Sequence, residues 1–128
     1  MVMFDLYMEI FSFLKSHEGV YVVTNKTCFE LIDSLANNRF FLKRDEDGKI
    51  ATFCNYWKID DVETARNGGR PENVENGSVL FVVDCASTKG LRLKDFKRYC
   101  KGMKGAAWFH KTIVPSNFRF YQLKGAAL

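Results

Sequence analysis

Residues 79–113, which read VLFVVDCASTKGLRLKDFKRYCKGMKGAAWFHKTI, carry the clearest topological signal in the chain. They begin with the apolar run Val79–Cys85, a pattern typical of a central strand that is buried on both faces. An amphipathic helix follows a short turn, and an aromatic-rich strand returns at residues 105–113. A strand, a helix and a second strand in this order predict a parallel pair joined by a right-handed crossover.

The flanking sequence predicts further helices and a hairpin. Thr27 followed by Glu30 matches a capping box that opens a helix, and Asp47-Gly48 between two β-rich runs favours a tight hairpin turn. The predicted flanking elements are helices at residues 3–15, 27–37 and 60–66, and strands at residues 39–43, 49–59 and 118–123.

Length and composition indicate one domain, residues 1–128. The chain has a mass of 14.8 kDa and is 47% hydrophobic and 15% aromatic, so it can bury a sizeable core without a disulfide or a metal. We therefore predict an α+β fold in which a single mixed β-sheet of about five to six strands is flanked by helices.

The sequence also indicates the compartment. No apolar run approaches the roughly 20 residues of a membrane span, and the N-terminal region lacks the basic segment of a signal peptide. Cys28, Cys54, Cys85 and Cys100 lie far apart, without a CxxC pair or a Cys/His cluster. We expect reduced thiols in a cytoplasmic protein, and no metal site.

Charge is distributed unevenly along the chain. Residues 1–85 contain nine Lys/Arg and fourteen Asp/Glu, a net charge of −5, whereas residues 86–128 contain ten Lys/Arg and one Asp, a net charge of +9. The imbalance suggests an anionic partner, which could be a phosphorylated cofactor, an acidic protein or a nucleic acid; the alternative is a solvated surface. Four cations form a basic stripe on one face of the amphipathic helix between the two strands of residues 79–113, and we predict that they bind the partner: Lys94, Lys97, Arg98 and Lys101.

The turn after Asp84 is the best candidate for a ligand site. Ligands of open α/β sheets bind beyond the carboxyl ends of strands, where helix N-termini attract anions. Hydroxyls, a glycine and two cations suit a phosphate there, although an ordinary turn has the same composition. The candidate cofactor-binding residues are Ser87, Thr88, Lys89, Gly90 and Arg92.

Two further residues are candidates for proton chemistry. Asp84 could orient a histidine or act as a base, and the alternative is a carboxylate that ties a loop. His17 is expected in a loop after the first helix, whereas His110 is expected to be structural within a strand.

The middle of the chain resembles a known family. Phe53-Cys54-Asn55-Tyr56 matches a hairpin strand, Gly77 precedes Asp84 by seven residues, and Gly90 follows Asp84 by six. With the order of elements, these features resemble the GNAT-like N-acyltransferase fold and, over residues 39–101, the RTX toxin-activating lysine acyltransferases.

This resemblance implies transfer of an acyl group from a thioester to an amine. His17 would deprotonate the amine, Asp84 would orient His17, and the donor would be an acyl-CoA or an acyl carrier protein thioester. The basic stripe would then meet an acidic acyl carrier protein or the coenzyme phosphates.

Two alternatives belong to other functional classes. The chain also resembles short GNAT-like proteins encoded by phages, which predicts a non-catalytic binding or virion-associated protein that uses its basic C-terminal third. The third hypothesis is a nucleic-acid-binding module, because aromatic residues alternate with cations at residues 108–111 and 118–121. Half-buried strands show the same alternation.

Overall fold

The computed structural model describes residues 2–17, 24–88, 98, 102–109 and 114–122. It confirms the predicted α+β class: one mixed five-stranded sheet, in the order β1-β2-β3-β4-β5, accompanied by three α-helices among the described residues. The elements are α1 (Val2–Lys15), α2 (Asn25–Ala36), β1 (Phe40–Arg44), β2 (Ile50–Ile59), α3 (Val62–Arg66), β3 (Val79–Ser87), β4 (Gly105–Phe109) and β5 (Phe118–Gln122), with a 3-10 turn at Pro115–Asn117.

The chain divides into two compact units. Unit 1 contains Met1–Asn55 and Val83–Leu91, and unit 2 contains Tyr56–Val82 and Arg92–Leu128.

Unit 1 is built around an aliphatic core beneath α1 and α2. Burial of this apolar surface is the main source of its stability. The buried side chains of the cluster are Ile10, Leu14, Leu31, Leu35, Ile50, Phe53 and Ala86.

Helix α2 begins earlier than the sequence pattern predicts. Its N-cap is Thr24: the Thr24 hydroxyl accepts from the N–H of Thr27, and the Thr27 hydroxyl accepts from the N–H of Thr24. Thr27 is therefore the N3 partner of the capping box rather than its N-cap, and the helix gains residues at its start.

The predicted hairpin of unit 1 is confirmed. Strands β1 and β2 pair antiparallel from Phe40 opposite Asn55 to Arg44 opposite Ile50, with an irregularity before Arg44. Gly48 has φ +80°, a conformation that glycine adopts without a steric penalty. The Asp45 carboxylate also accepts from two main-chain N–H groups of the turn.

Unit 2 contains the parallel pair that the sequence predicts. Strand β3 runs parallel to β4 with three residues in register, from Val79 opposite Gly105 to Phe81 opposite Ala107. The connecting helix was predicted after the turn at residues 86–90, with an apolar face from Leu93 to Met103. Within that stretch only residues 98, 102 and 103 are described, and Gly102, with φ +84°, and Met103 are not helical. On its other side β4 pairs antiparallel with β5. A Cβ at Gly105 would lie 2.2 Å from the Tyr121 carbonyl oxygen, so this strand contact requires glycine.

A row of aromatic rings forms much of the core of unit 2. Ring centroids are 6.1 Å apart for Trp57 and Phe81, 6.3 Å for Phe81 and Phe109, and 5.4 Å for Phe109 and Phe118. Guanidinium groups cover both ends of the row. Arg70 lies 4.6 Å from the Trp57 ring centroid and Arg66 lies 4.9 Å from that of Phe118, distances typical of cation–π contacts.

Candidate functional site

The candidate carboxylate, Asp84, lies inside β3 rather than at its end. The strand was predicted to end at residue 85, but it continues to Ser87. Asp84 is buried, and its main-chain N–H donates to Oδ1 of Asn55 over 2.8 Å. The Asn55 Nδ2 donates to Oγ of Ser34 over 3.0 Å. One buried amide therefore links β2, β3 and α2 within unit 1.

Ser87 and Thr88, two of the candidate phosphate ligands, are bonded to β2. The hydroxyls of Ser87 and Thr52 lie 2.8 Å apart, and the N–H of Thr88 donates to the Ala51 carbonyl oxygen over 2.9 Å. The Thr88 hydroxyl donates to the same oxygen. These two residues thus extend the sheet.

The same contacts define the direction of β3. Ser87 lies beside Thr52 and Asp84 lies beside Asn55, so β3 runs antiparallel to β2. The remaining candidates for the phosphate site, Lys89, Gly90 and Arg92, lie outside the described residues.

His17 follows the end of α1 and is half-buried. Its Nδ1 lies 2.8 Å from the Phe13 carbonyl oxygen, and its ring centroid is 4.5 Å from that of Phe13. A carbonyl oxygen only accepts, so Nδ1 donates in this contact, and the Ser16 hydroxyl lies 3.1 Å from the same nitrogen. In the neutral ring this tautomer places the lone pair on Nε2. Asp84 is not among the hydrogen-bond partners of His17, so the structure does not join the predicted pair by a direct bond.

Only one residue of the predicted basic stripe is described. Arg98 is exposed, whereas Lys94, Lys97 and Lys101 lie outside the described residues, as does His110.

Ion pairs in unit 1 connect the helices to β1 and to the residue before it. The Arg44 guanidinium donates to both carboxylate oxygens of Glu9, over 2.5 and 3.0 Å, and this hydrogen bonding lowers the pKa of Glu9. Arg39, which precedes β1, pairs with Asp33 at the end of α2. Both arginines are thus engaged by carboxylates of the same unit.

Asn55 is the residue of this region that sequence reasoning missed. An amide within the buried run Phe53–Trp57 must find hydrogen-bond partners, which is the signal that would have identified it.

Two classes of feature are absent from the part of the chain that is described. Its His, Cys, Asp and Glu side chains form no group of three or more that could hold a metal ion. None of its helices has the length and apolar composition needed to cross a membrane.

Comparison of the chain with known protein families, with curated proteins and with solved structures finds no match.

Proposed function

We propose that the chain is a GNAT-type acyltransferase, which moves an acyl group from a thioester donor to an amine. The observation that supports this most directly is the small number of residues over which the two parallel strands pair. Pairing of β3 with β4 stops at Phe81 and Ala107, although β3 continues to Ser87. A buried strand followed by a turn, a helix and a second strand that separates from it is part of the element order that carries the GNAT resemblance.

A diverging strand suits the chemistry of the donor. The arm that carries the thioester in coenzyme A and in acyl carrier proteins contains amide groups. Main-chain N–H and C=O groups along a strand edge bind such a chain as they would another strand. The donor arm in this proposal lies along β3 beyond Phe81.

Proton transfer is assigned to His17. The amine nitrogen attacks the thioester carbonyl carbon, and Nε2 of His17 accepts the amine proton. The C–N bond forms, the C–S bond breaks, and the proton passes from Nε2 to the leaving sulfur. Donation of Nδ1–H to Phe13 supports this role, because it leaves Nε2 as the basic nitrogen.

Asp84 has the supporting role that the resemblance implies. Because Phe13 already accepts the Nδ1 proton, Asp84 acts here through its charge rather than through a bond to that nitrogen. Asp84 is buried, and its main chain is held by Asn55.

The test combines a binding measurement with an assay of transfer. Acetyl-CoA, a long-chain acyl-CoA and an acyl carrier protein thioester are tested as donors with a lysine peptide. We expect His17→Gln to lower kcat by at least about 100-fold and Asp84→Asn to lower it as well. Ser12→Ala, an exposed change on α1, is the matched control and should match the wild type.

Binding and stability separate catalysis from structure. A donor at 100 times its Kd should stabilise the wild type by about 2.7 kcal/mol, and His17→Gln should keep the wild-type Tm. Absence of stabilisation by every donor, or full activity of His17→Gln, contradicts the proposal. If no donor stabilises the wild type, the hypothesis of a non-catalytic binding protein is favoured. The next experiment would then be a pull-down for an acidic protein or a nucleic acid.

A further inference from the structure

Four large apolar side chains of the two N-terminal helices are exposed to solvent. Their exposed fractions are 62% for Phe4, 43% for Met8, 69% for Phe29 and 55% for Ile32. We call these four residues the α1/α2 apolar face. Among the described residues, Val114 is the one other exposed large apolar side chain, at 42%.

The helix geometry makes these residues neighbours. Helices α1 and α2 pack against each other over the shared unit 1 core. Tyr7 of α1 faces Cys28 of α2: burial, and then the neighbouring Cys28 side chain, raise the pKa of Tyr7. The α1 members of the face lie within one helical turn of Tyr7, and the α2 members lie within one turn of Cys28. Ile10 and Leu31 point instead into the core beneath the helices. Phe4 and Met8 are neighbours at i, i+4 on α1, and Phe29 and Ile32 are neighbours at i, i+3 on α2, so the apolar face consists of one exposed pair on each of two packed helices.

The exposed area is large for a solvent-facing surface. With about 200 Å² for a fully exposed phenylalanine, Phe4 and Phe29 alone present on the order of 250 Å². Single exposed apolar residues are common, but contiguous patches mark interaction surfaces. A stable interface buries roughly 800 Å² on each partner, of which these two rings would supply about a third.

The apolar face has an exposed charged residue beside it on each helix, and these rim charges have opposite signs. Asp5 lies on α1 and Lys26 lies on α2, both exposed, and neither takes part in an ion pair among the described residues. The other carboxylates beside the face are neutralised within the chain, Glu9 by Arg44 and Asp33 by Arg39. A surface with one acidic and one basic side is complementary to itself under two-fold rotation.

We propose that the α1/α2 apolar face is the interface of a two-fold symmetric homodimer, with Asp5 of each copy opposite Lys26 of the other. A second copy satisfies both features at once, because it covers the apolar side chains and pairs both rim charges. The inference is independent of the proposed acyl transfer.

Sedimentation equilibrium from about 1 to about 500 µM tests the dimer. The wild type should show a monomer–dimer equilibrium, and Phe29→Glu should raise its Kd by at least about 30-fold. Val114→Glu, which places the same charge on the exposed apolar residue of unit 2, should leave the Kd unchanged. Circular dichroism confirms that each variant is folded.

Charge reversal tests the two-fold arrangement. Asp5→Lys and Lys26→Glu should each raise the Kd by about tenfold, because symmetry repeats each contact. The double variant should return the Kd to within about twofold of the wild type. A wild type that stays monomeric throughout, a dimer that Phe29→Glu leaves intact, or a double variant without recovery overturns the proposal.

Discussion

Two adjacent carboxylates, Asp60 and Asp61, show how much a single residue contributes at the end of β2. The Asp60 carboxylate accepts hydrogen bonds from both the N–H and the hydroxyl of Ser78, each over 2.9 Å. The Asp61 carboxylate caps α3 by accepting from the N–H and the hydroxyl of Thr64. These hydrogen bonds hold the pKa of both carboxyl groups below the usual range, and the charge of Lys104 contributes at Asp60. Asp60 therefore joins the two ends of the segment between β2 and β3, and Asp61 fixes the start of the helix within it.

Asp60→Asn tests this anchoring through pH. The pKa of Asp60 is lower in the folded protein than in the unfolded chain, where it is about 3.9. The ionised carboxylate therefore stabilises the fold above about pH 3.9, and this stabilisation is lost as the pH falls through the folded pKa. We expect Asp60→Asn to lower the Tm at pH 7 and the difference from the wild type to be smaller at pH 2. Asp47→Asn in the hairpin turn is the control; an equal effect of Asp60→Asn at both pH values would contradict the assignment.

At the scale of elements, Asn55 determines how β2 meets its neighbours in unit 1. Its amide donates to Ser34 of α2 and accepts from the main chain of Asp84 in β3. A buried amide with partners on two other elements fixes the position of both, because an unsatisfied polar group there is costly.

Asn55→Ala should therefore lower the free energy of unfolding by about 2–4 kcal/mol. Ser34→Ala removes one of the two bonds and should cost about 1 kcal/mol. Asn76→Ala, at an exposed asparagine, is the control. Urea denaturation measures all three, and similar values for Asn55→Ala and Asn76→Ala would show that the amide links nothing.

At the scale of the whole molecule, the two units have different cores. Unit 1 buries mainly aliphatic side chains around Phe53, whereas unit 2 buries a row of aromatic rings. In unit 2 the buried rings stabilise one another through tilted and edge-to-face contacts.

Phe53 is fully buried at the centre of the unit 1 cluster. Phe53→Ala should cost about 3–5 kcal/mol, through lost transfer energy and an unfilled cavity. The Tm should then fall by roughly 10–20 °C. Val114→Ala removes an exposed apolar side chain and should leave the Tm nearly unchanged. A loss below about 1 kcal/mol for Phe53→Ala would contradict the assigned core.

Local sequence was sufficient for the features that local chemistry controls. The hairpin turn follows from Asp47-Gly48, since glycine adopts positive φ freely. The parallel pairing of β3 and β4 follows from the strand–helix–strand order, because a crossover joins parallel strands. The mixed α+β sheet follows from the same patterns.

Tertiary contacts settled where the elements end and what the candidate residues touch. Strand β3 reaches Ser87 because Thr52 and Ala51 of β2 supply hydrogen-bond partners for Ser87 and Thr88. The role of Asn55 likewise depends on Ser34 and Asp84. These partners lie 21 to 37 residues apart in the chain, and a local hydrophobic period contains no information about contacts at that separation.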